Sequence, residues 1–313
     1  MAIRQNFKSK FIGSAPVQRF LDRSKNFIVP GFGDFSLFQV WHPFMVQLRR
    51  SSLSERASAI AFNIFMAIPP TLIFIFTLIP YLPISDRLIK QLFMLIKDII
   101  PGEKNNTVII TFLNDFLKQP RNDLLSFGLL LAVFFSSNAM MGILRAFDKN
   151  YVGFRKRNGI QKRRTALKLS LSIFLLIFSS LLLLMAQGAV LKWMGLEIVW
   201  LRELIHNLRW VIVILLIFYS VSFIYRHGPA LIVKWPFITP GAVFATTLMI
   251  FATVLVTFWV NNFSNFNKVY GSISVIFILM VLIFVNALVI LIGFELNVTL
   301  AALKKEQELQ SIT

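Results

Sequence analysis

Long apolar runs without charged residues alternate with short polar segments along this chain. A helix needs about 20 consecutive apolar residues to cross a hydrocarbon core about 30 Å thick. Six runs approach or exceed that length: residues 57–82, 124–144, 169–191, 210–225, 241–260 and 271–294, of which the fourth is the shortest. The pattern predicts an all-α integral membrane protein, a bundle of six transmembrane helices with amphipathic helices outside the bilayer.

Composition agrees with the membrane prediction. The chain has 313 residues, of which 57% are hydrophobic and 15% are charged, and it carries a formal net charge of +18. Soluble domains are about 25% charged, so an ordinary globular protein and a disordered chain are both excluded. The absence of cysteine excludes disulfides, thiol catalysis and cysteine-bound zinc. The first residues lack the apolar core of a signal peptide, so we expect no cleaved targeting segment.

The distribution of Lys and Arg predicts the orientation of the bundle. Of the 32 basic residues, 22 lie in 1–56, 145–168, 226–240 and after 300, and only 10 lie in the alternate loops. Basic loops stay in the cytoplasm, so both termini are predicted to be cytoplasmic (N-in/C-in). The predicted organisation is a basic cytoplasmic or interfacial segment 1–56, a transmembrane domain 57–300, and a cytoplasmic tail 301–313. Within that domain, we expect residues 84–122 to form an extracytoplasmic helical insert and residues 145–168 to form a basic cytoplasmic loop.

Three segments outside the bilayer read as amphipathic helices. In residues 36–50 a stripe of Phe38, Trp41, Met45 and Leu48 is typical of a helix lying on the membrane, although a partner-binding helix has the same pattern. Residues 86–100 and 107–117 predict two more helices, separated by a Pro-Gly break. They either cap a cavity or rest on the leaflet surface, and both alternatives stay open.

Two prolines interrupt the first apolar run. Pro69 and Pro70 have no N–H, so the carbonyls of Phe65 and Met66 lose their helical donors. Irregular backbone at this depth shapes a transport path or forms a plain structural kink. Asn63 is expected to satisfy part of the freed backbone.

A cationic stripe leaves the second run. Helical geometry places Asn138, Gly142, Arg145 and Lys149 on one face, which suits an anionic headgroup. The alternative is that Arg145 extends to the membrane surface and pairs with Asp148.

Glu295 directly follows the sixth run, near the cytoplasmic end of the sixth predicted helix, and is the only carboxylate assigned to a span. Intramembrane charges are paired or functional, and Arg145 or Arg56 could reach this one. A structural ion pair is favoured over a proton relay. Further polar residues in the last two spans are interpreted as helix-packing contacts: Thr253, Thr257, Asn286 and Asn297.

No set of residues predicts an enzyme. His42, His206 and His227 lie in three separate segments, and the 14 acidic residues are scattered. The phosphate-binding loop, the Gly-x-Ser-x-Gly elbow and the dinucleotide fingerprint are absent from the sequence. We expect no metal, no cofactor and no enzymatic activity.

With these motifs in view, residues 50–300 resemble the YihY/virulence factor BrkB family, once labelled ribonuclease BN. The resemblance rests on 55–62 (ERASAIAF) with Pro69, Ser137 and Asn138 through Arg145, Asn150, Tyr151, Gly153, 240–242 (PGA), 265–272 (NFNKVYGS) and 293–297 (GFELN). The chain departs from relatives at Asn63 and Ile64. The resemblance implies a bacterial inner-membrane protein with six helices and links to export of envelope lipid or lipopolysaccharide precursor.

The leading hypothesis is a transporter or flippase-like protein that handles an anionic lipid or envelope precursor. Asn138, Arg145 and Glu295 would contact the substrate, and Pro69 and Pro70 would shape its path. The alternative is a membrane scaffold that recruits envelope proteins through residues 1–50 and 84–122. Ribonuclease activity is a remote third, and no nucleic-acid partner is expected.

Overall fold

The computed structural model describes residues 35–78, 81, 122–148, 151, 153–193, 199–262 and 273–311. Within these ranges the chain forms seven helices: α1 (Leu37–Arg50), α2 (Leu53–Leu78), α3 (Asn122–Phe147), α4 (Gly159–Trp193), α5 (Val199–His227), α6 (Pro240–Asn262) and α7 (Ile273–Gln310). The predicted helices at 86–100 and 107–117 and the 265–272 motif lie outside the described residues.

Four helical stretches in the described part are long and apolar enough to cross a membrane. They are Leu53–Ile75, Leu125–Phe147, Pro240–Trp259 and Ile276–Gln310, and they correspond to the first, second, fifth and sixth predicted runs. The fourth run corresponds to a shorter apolar helix, Val211–His227, and the third lies within α4. The prediction of an all-α membrane protein is therefore confirmed. The count of six spans and the cytoplasmic location of both termini stay predictions.

Helix α1 begins with a capping box and docks onto α7. The Ser36 hydroxyl accepts a hydrogen bond from the Gln39 backbone, while the Gln39 side chain accepts one from the Ser36 backbone. Val40 and Phe44 are buried against α7, in a cluster with Leu296 and Leu300. The stripe predicted to face the membrane is only partly exposed: Phe38 and Trp41 are exposed, whereas Met45 and Leu48 pack beside the buried cluster.

Pro69 and Pro70 do not divide the first span into two helices, because α2 continues through both of them. Pro69 is exposed and Pro70 is half-buried. Next to them, Thr71 Oγ1 donates to the carbonyl of Ala67 at 2.7 Å. Asn63 does not serve the freed carbonyls, since its Nδ2 donates to Ala59 O at 2.7 Å. The prolines are therefore accommodated within a helix.

Charged residues gather at one end of the bundle, which we call the basic end. Here α3 and α5 finish, α2, α4 and α6 begin, and α7 passes between them through residues 290–300. Two loops meet at this end, since Phe154 and Leu231 form an antiparallel bridge. The Arg157 guanidinium reinforces it by donating to the carbonyls of Gly228 and Pro229, at 2.6 and 3.2 Å. The described parts of the segments for which the charge count predicts a common side therefore lie together.

Helices α6 and α7 touch backbone to backbone at two glycines. A Cβ atom on Gly293 would lie 2.5 Å from the carbonyl oxygen of Gly241 and 2.6 Å from Cβ of Ala245. Close approach at small residues is a common way for helices to associate in a membrane. Asn297 then fastens the start of α6: its Oδ1 accepts from Gly241 N at 2.9 Å, and its Nδ2 donates to Thr239 Oγ1 at 3.0 Å.

We expect Gly293→Ala to lower the midpoint of thermal unfolding of the detergent-purified protein. The added methyl group has no space between α6 and α7, and overpacking of this kind costs about 1–3 kcal/mol. The matched control is Gly128→Ala, whose Cβ would meet Ile73 and Phe74 at an ordinary 3.5 Å. Equal midpoints for the two variants would contradict the tight α6–α7 contact.

Candidate functional site

A fully buried carboxylate occupies the centre of the basic end. Glu295 is 0% exposed and accepts three hydrogen bonds from side chains. Arg56 Nη1 and Tyr151 Oη donate to its Oε1 at 2.5 and 2.7 Å, and Gln47 Nε2 donates to its Oε2 at 2.9 Å. The donors come from α2, from the loop after α3 and from α1. A buried charge is tolerated when paired and hydrogen-bonded in this way.

The guanidinium of Arg56 links the carboxylate to the ends of two other segments. Its Nη2 donates to the carbonyl of Ala146, and its Nη1 also donates to Ser51 O at 3.0 Å. Both acceptors are backbone carbonyls at or just beyond the C-terminal ends of α3 and α1, where helices lack intrahelical donors. Arg56 Nε is buried and has no partner among the described residues. One cation thus satisfies the carboxylate and two helix ends.

Tyr151 adds a neutral donor to this cluster. Burial, followed by the negative charge of Glu295, raises the pKa of the Tyr151 hydroxyl well above its usual value, although Arg56 opposes the shift. The phenol therefore keeps its proton and its role as a hydrogen-bond donor over the physiological pH range.

An aromatic cluster surrounds the next residue of α7. The Phe294 ring stacks on Phe147 with centroids 4.0 Å apart and an interplanar angle of 12°. Four further rings lie 5.7–6.3 Å from Phe294, and they belong to Trp235, Tyr151, Phe154 and Tyr225. These rings exclude water from one side of the Glu295 cluster, which strengthens its electrostatic contacts.

A mostly apolar groove of about 400 Å³ runs between α2, α3 and α4, and we call it the α2–α3–α4 groove. Its volume falls within the roughly 300–1,000 Å³ typical of ligand pockets. Three hydroxyls interrupt the apolar walls, those of Thr71, Ser136 and Ser170. Ser170 donates to Ser136 across α3 and α4 at 2.7 Å. The groove can accept an apolar chain and offers few polar contacts along it.

Arg163 lies on the groove side of α4, one turn before the lining residue Leu167. Its guanidinium donates to Oδ1 of Asn138 and lies 5.0 Å from the centre of the Phe134 ring. A cation held over an aromatic ring and bound by an amide is positioned, while its other N–H groups can still donate. Arg163 therefore places a positive charge beside the groove.

The predicted contact residues occupy different parts of this arrangement. Asn138 binds Arg163, and Glu295 binds Arg56, so the two are not in one contact. Arg145 is exposed at the end of α3, and its expected partner Asp148 pairs with Lys162 instead. Lys149 lies outside the described residues. The face predicted from α3 alone therefore does not form a single site.

The additional polar residues mostly bond within their own helices. Asn286 Nδ2 donates to Leu282 O at 2.9 Å, and Thr257 Oγ1 donates to the Thr253 carbonyl at 2.8 Å. Asn297 instead joins α7 to α6. In the part of the chain that the structure describes, no group of three or more His, Cys, Asp or Glu side chains could hold a metal ion.

Sequence reasoning did not single out Arg163, Tyr151 or Gln47 for these contacts. Arg163 is one of nine basic residues in 145–168. Its position on the same helix face as Leu167 and Ser170 was the feature of the sequence that could have distinguished it. Tyr151 belongs to the motifs of the family resemblance, but neither it nor Gln47 could be assigned to Glu295, since each reaches the carboxylate from a segment distant in sequence.

We expect Glu295→Gln to lower the free energy of unfolding by about 3–5 kcal/mol, because it leaves Arg56 buried without a counter-charge. Thermal unfolding in detergent measures the effect, with the exposed Glu308→Gln as control. Arg56→Met combined with Glu295→Gln should cost less than the sum of the single substitutions. Strict additivity would show that the two side chains are not coupled.

Comparison with known proteins finds relatives that match most of this chain or about a third of it. The chain is 28% identical over 255 residues to the putative ribonuclease-like protein YfkH of Bacillus subtilis strain 168, which covers 80% of this chain and 91% of that protein. A UPF0761 membrane protein of Psychromonas ingrahamii is 33% identical over 90 residues, 29% of this chain and 31% of that relative. The UPF0761 membrane protein Smlt0865 of Stenotrophomonas maltophilia K279a is 28% identical over 105 residues, 34% and 24% of the two chains.

No solved structure matches this chain. The family model described as Virulence factor BrkB matches residues 44–312, a range that includes every residue of the Glu295 cluster and of the α2–α3–α4 groove. This match covers most of the apolar helices as well as the basic end, and the chain therefore belongs to the virulence factor BrkB family of membrane proteins.

Proposed function

We propose that this protein is a multi-pass inner-membrane transporter or flippase-like protein that handles an anionic lipid or envelope precursor. The observation that carries the proposal is the guanidinium of Arg163, bound to Asn138 beside the hydroxyl-bearing α2–α3–α4 groove. An anionic amphiphile has the complementary form, with an apolar chain for the groove and a charged headgroup for the cation. In this proposal the basic end faces the cytoplasm and no covalent chemistry takes place.

The walls of the groove suit a chain that slides. Ser136 and Ser170 bond to each other, and Thr71 bonds to its own helix, so the hydroxyls are satisfied when the groove holds only apolar groups. The same hydroxyls can exchange partners when a polar headgroup passes. The hydroxyls are therefore paired both when the groove holds an apolar chain and when a headgroup passes. An unpaired polar group at membrane depth would cost several kcal/mol.

The charges at the basic end suit the headgroup. Arg145 is exposed at the end of α3, at the same end of the bundle. Each basic side chain close to a membrane surface contributes about 1 kcal/mol of attraction to anionic lipid. Glu295 has a structural role in this proposal and does not contact the headgroup, because its carboxylate is enclosed by Arg56, Tyr151 and Gln47.

The test measures movement of fluorescent phosphatidylglycerol between the leaflets of reconstituted vesicles, by dithionite quenching. We expect Arg163→Ala to slow movement about tenfold or more, because it removes the cation beside the groove. The neighbouring exposed Arg164→Ala serves as control and should retain most of the rate. Normal insertion of each variant is checked by its elution as a monodisperse species.

A second pair of variants tests the groove itself. Ala139→Phe fills the groove and should block movement, whereas Leu130→Phe changes a 69% exposed residue outside it and should not. Rates for wild-type protein equal to those of empty vesicles would overturn the transport proposal. If transport is absent but deletion of residues 1–50 abolishes the cellular activity, the scaffold alternative is supported. Cleavage of RNA by the purified protein in the presence of a divalent metal would support the third hypothesis, ribonuclease activity.

A further inference from the structure

A second groove lies on the opposite side of α4, between α4 and α5. It has a volume of about 670 Å³ and is open along its length; we call it the α4–α5 groove. Its α4 wall runs from Ser172 to Ser179, and its α5 wall runs from Ile212 to Phe223. Ile173 lines both grooves, so α4 separates them. The walls are apolar apart from Tyr219 and three serines, Ser172, Ser179 and Ser220.

The α4–α5 groove leads along α5 toward the basic end past a row of neighbouring aromatic rings. Tyr219 and Phe223 are nearly parallel, at 11° with centroids 6.2 Å apart. The His227 ring follows at 4.5 Å from Phe223, and its Nδ1 lies 3.1 Å from Phe223 O. Phe237, from the loop before α6, approaches Tyr219 at 4.9 Å. The rings form one continuous wall from the apolar groove to polar surroundings.

Three cations gather where this wall ends. His227 is the last residue of α5, two residues beyond the predicted span, and the charges that act on its imidazole are those of Lys234, Arg226 and Lys168. Burial is the larger cause, and these charges the smaller one, of a lowered pKa for His227. Lys168 also lies one helical turn before the lining residue Ser172. Lys168 and Lys234 are exposed, so their ammonium groups are accessible.

We propose that the α4–α5 groove is a second lipid site, which holds one acyl chain of a phospholipid with a net negative headgroup, and that this headgroup binds Lys168, Arg226 and Lys234. Charge complementarity selects this occupant. Apolar walls alone would accept any lipid, but three cations within reach of one imidazole repel one another unless an anion lies between them. The proposal does not depend on transport, since a protein that moves no lipid can still hold one here.

The experiment uses a phosphatidylglycerol analogue with a photoreactive diazirine in its acyl chain, bound to the full-length protein in detergent. After illumination, peptide mapping locates the adduct. We expect adducts on residues 172–179 and 212–223, the two walls of the groove. Unlabelled phosphatidylglycerol should compete at least about tenfold better than phosphatidylcholine, because only the first brings a net negative headgroup to the lysines.

Two variants with matched controls test the two halves of the site. Lys168→Ala with Lys234→Ala should remove the preference for phosphatidylglycerol, whereas Lys304→Ala with Lys305→Ala, on the exposed end of α7, should keep it. Ser220→Phe fills the groove and should abolish the adduct, whereas Ile214→Phe, at a 42% exposed position outside the groove, should not.

Three results would overturn the site. One is adduct formation spread evenly over the exposed helices, and another is an unchanged lipid preference in the double lysine variant. The third is competition by inorganic phosphate as strong as that by phosphatidylglycerol, which would identify a free-anion site. Arg163→Ala should leave this adduct unchanged, so loss of transport with a retained adduct separates the failure of one proposal from that of the other.

Discussion

The ion pair between Arg56 and Glu295 holds together parts of the chain that are far apart in sequence. A carboxylate this deeply buried must find a cation and further donors, since several kcal/mol are lost for each unpaired charge. Glu295 meets that requirement by taking donors from α1, α2 and the loop after α3, while Arg56 also binds the end of α3. The aromatic rings around Phe294 then close the cluster. This one requirement ties α1, α2 and the end of α3 to α7 at the basic end.

The two grooves on either side of α4 have the same arrangement of apolar walls and nearby cations. The buried Arg56–Glu295 pair helps to position the helices that form them. The Glu295 cluster fixes the ends of α2 and α3, which form two of the walls of the α2–α3–α4 groove, and the paired loops at Phe154 and Leu231 connect α4 to the end of α5. Each groove is apolar along its length and has cations toward the basic end. In the proposed function, a polar end joined by the buried pair and apolar grooves that lead away from it would hold amphiphiles in one orientation.

Particular residues show where sequence reasoning succeeded and where it stopped. The apolar runs predicted the helices, because length and composition alone decide whether a helix can remain in lipid. They also drew attention to Glu295, but could not choose between Arg56 and Arg145 as its partner. The cation on Asn138 is Arg163, from the next helix, and not Arg145 from the same helix face. The prolines predicted either a path-shaping irregularity or a plain kink, and α2 remains helical through Pro69 and Pro70.

The sequence by itself determined that this chain is a helical membrane protein, because hydrophobic length and charge exclusion are local properties of each segment. It also determined which polar residues have to be explained, since any such residue at membrane depth is costly. The tertiary structure decided the pairings: Glu295 with Arg56, Asn138 with Arg163, and Gly241 against Gly293. These depend on the crossing and rotation of helices, which are set by contacts between residues distant in the chain, and periodicity within one helix does not contain that information.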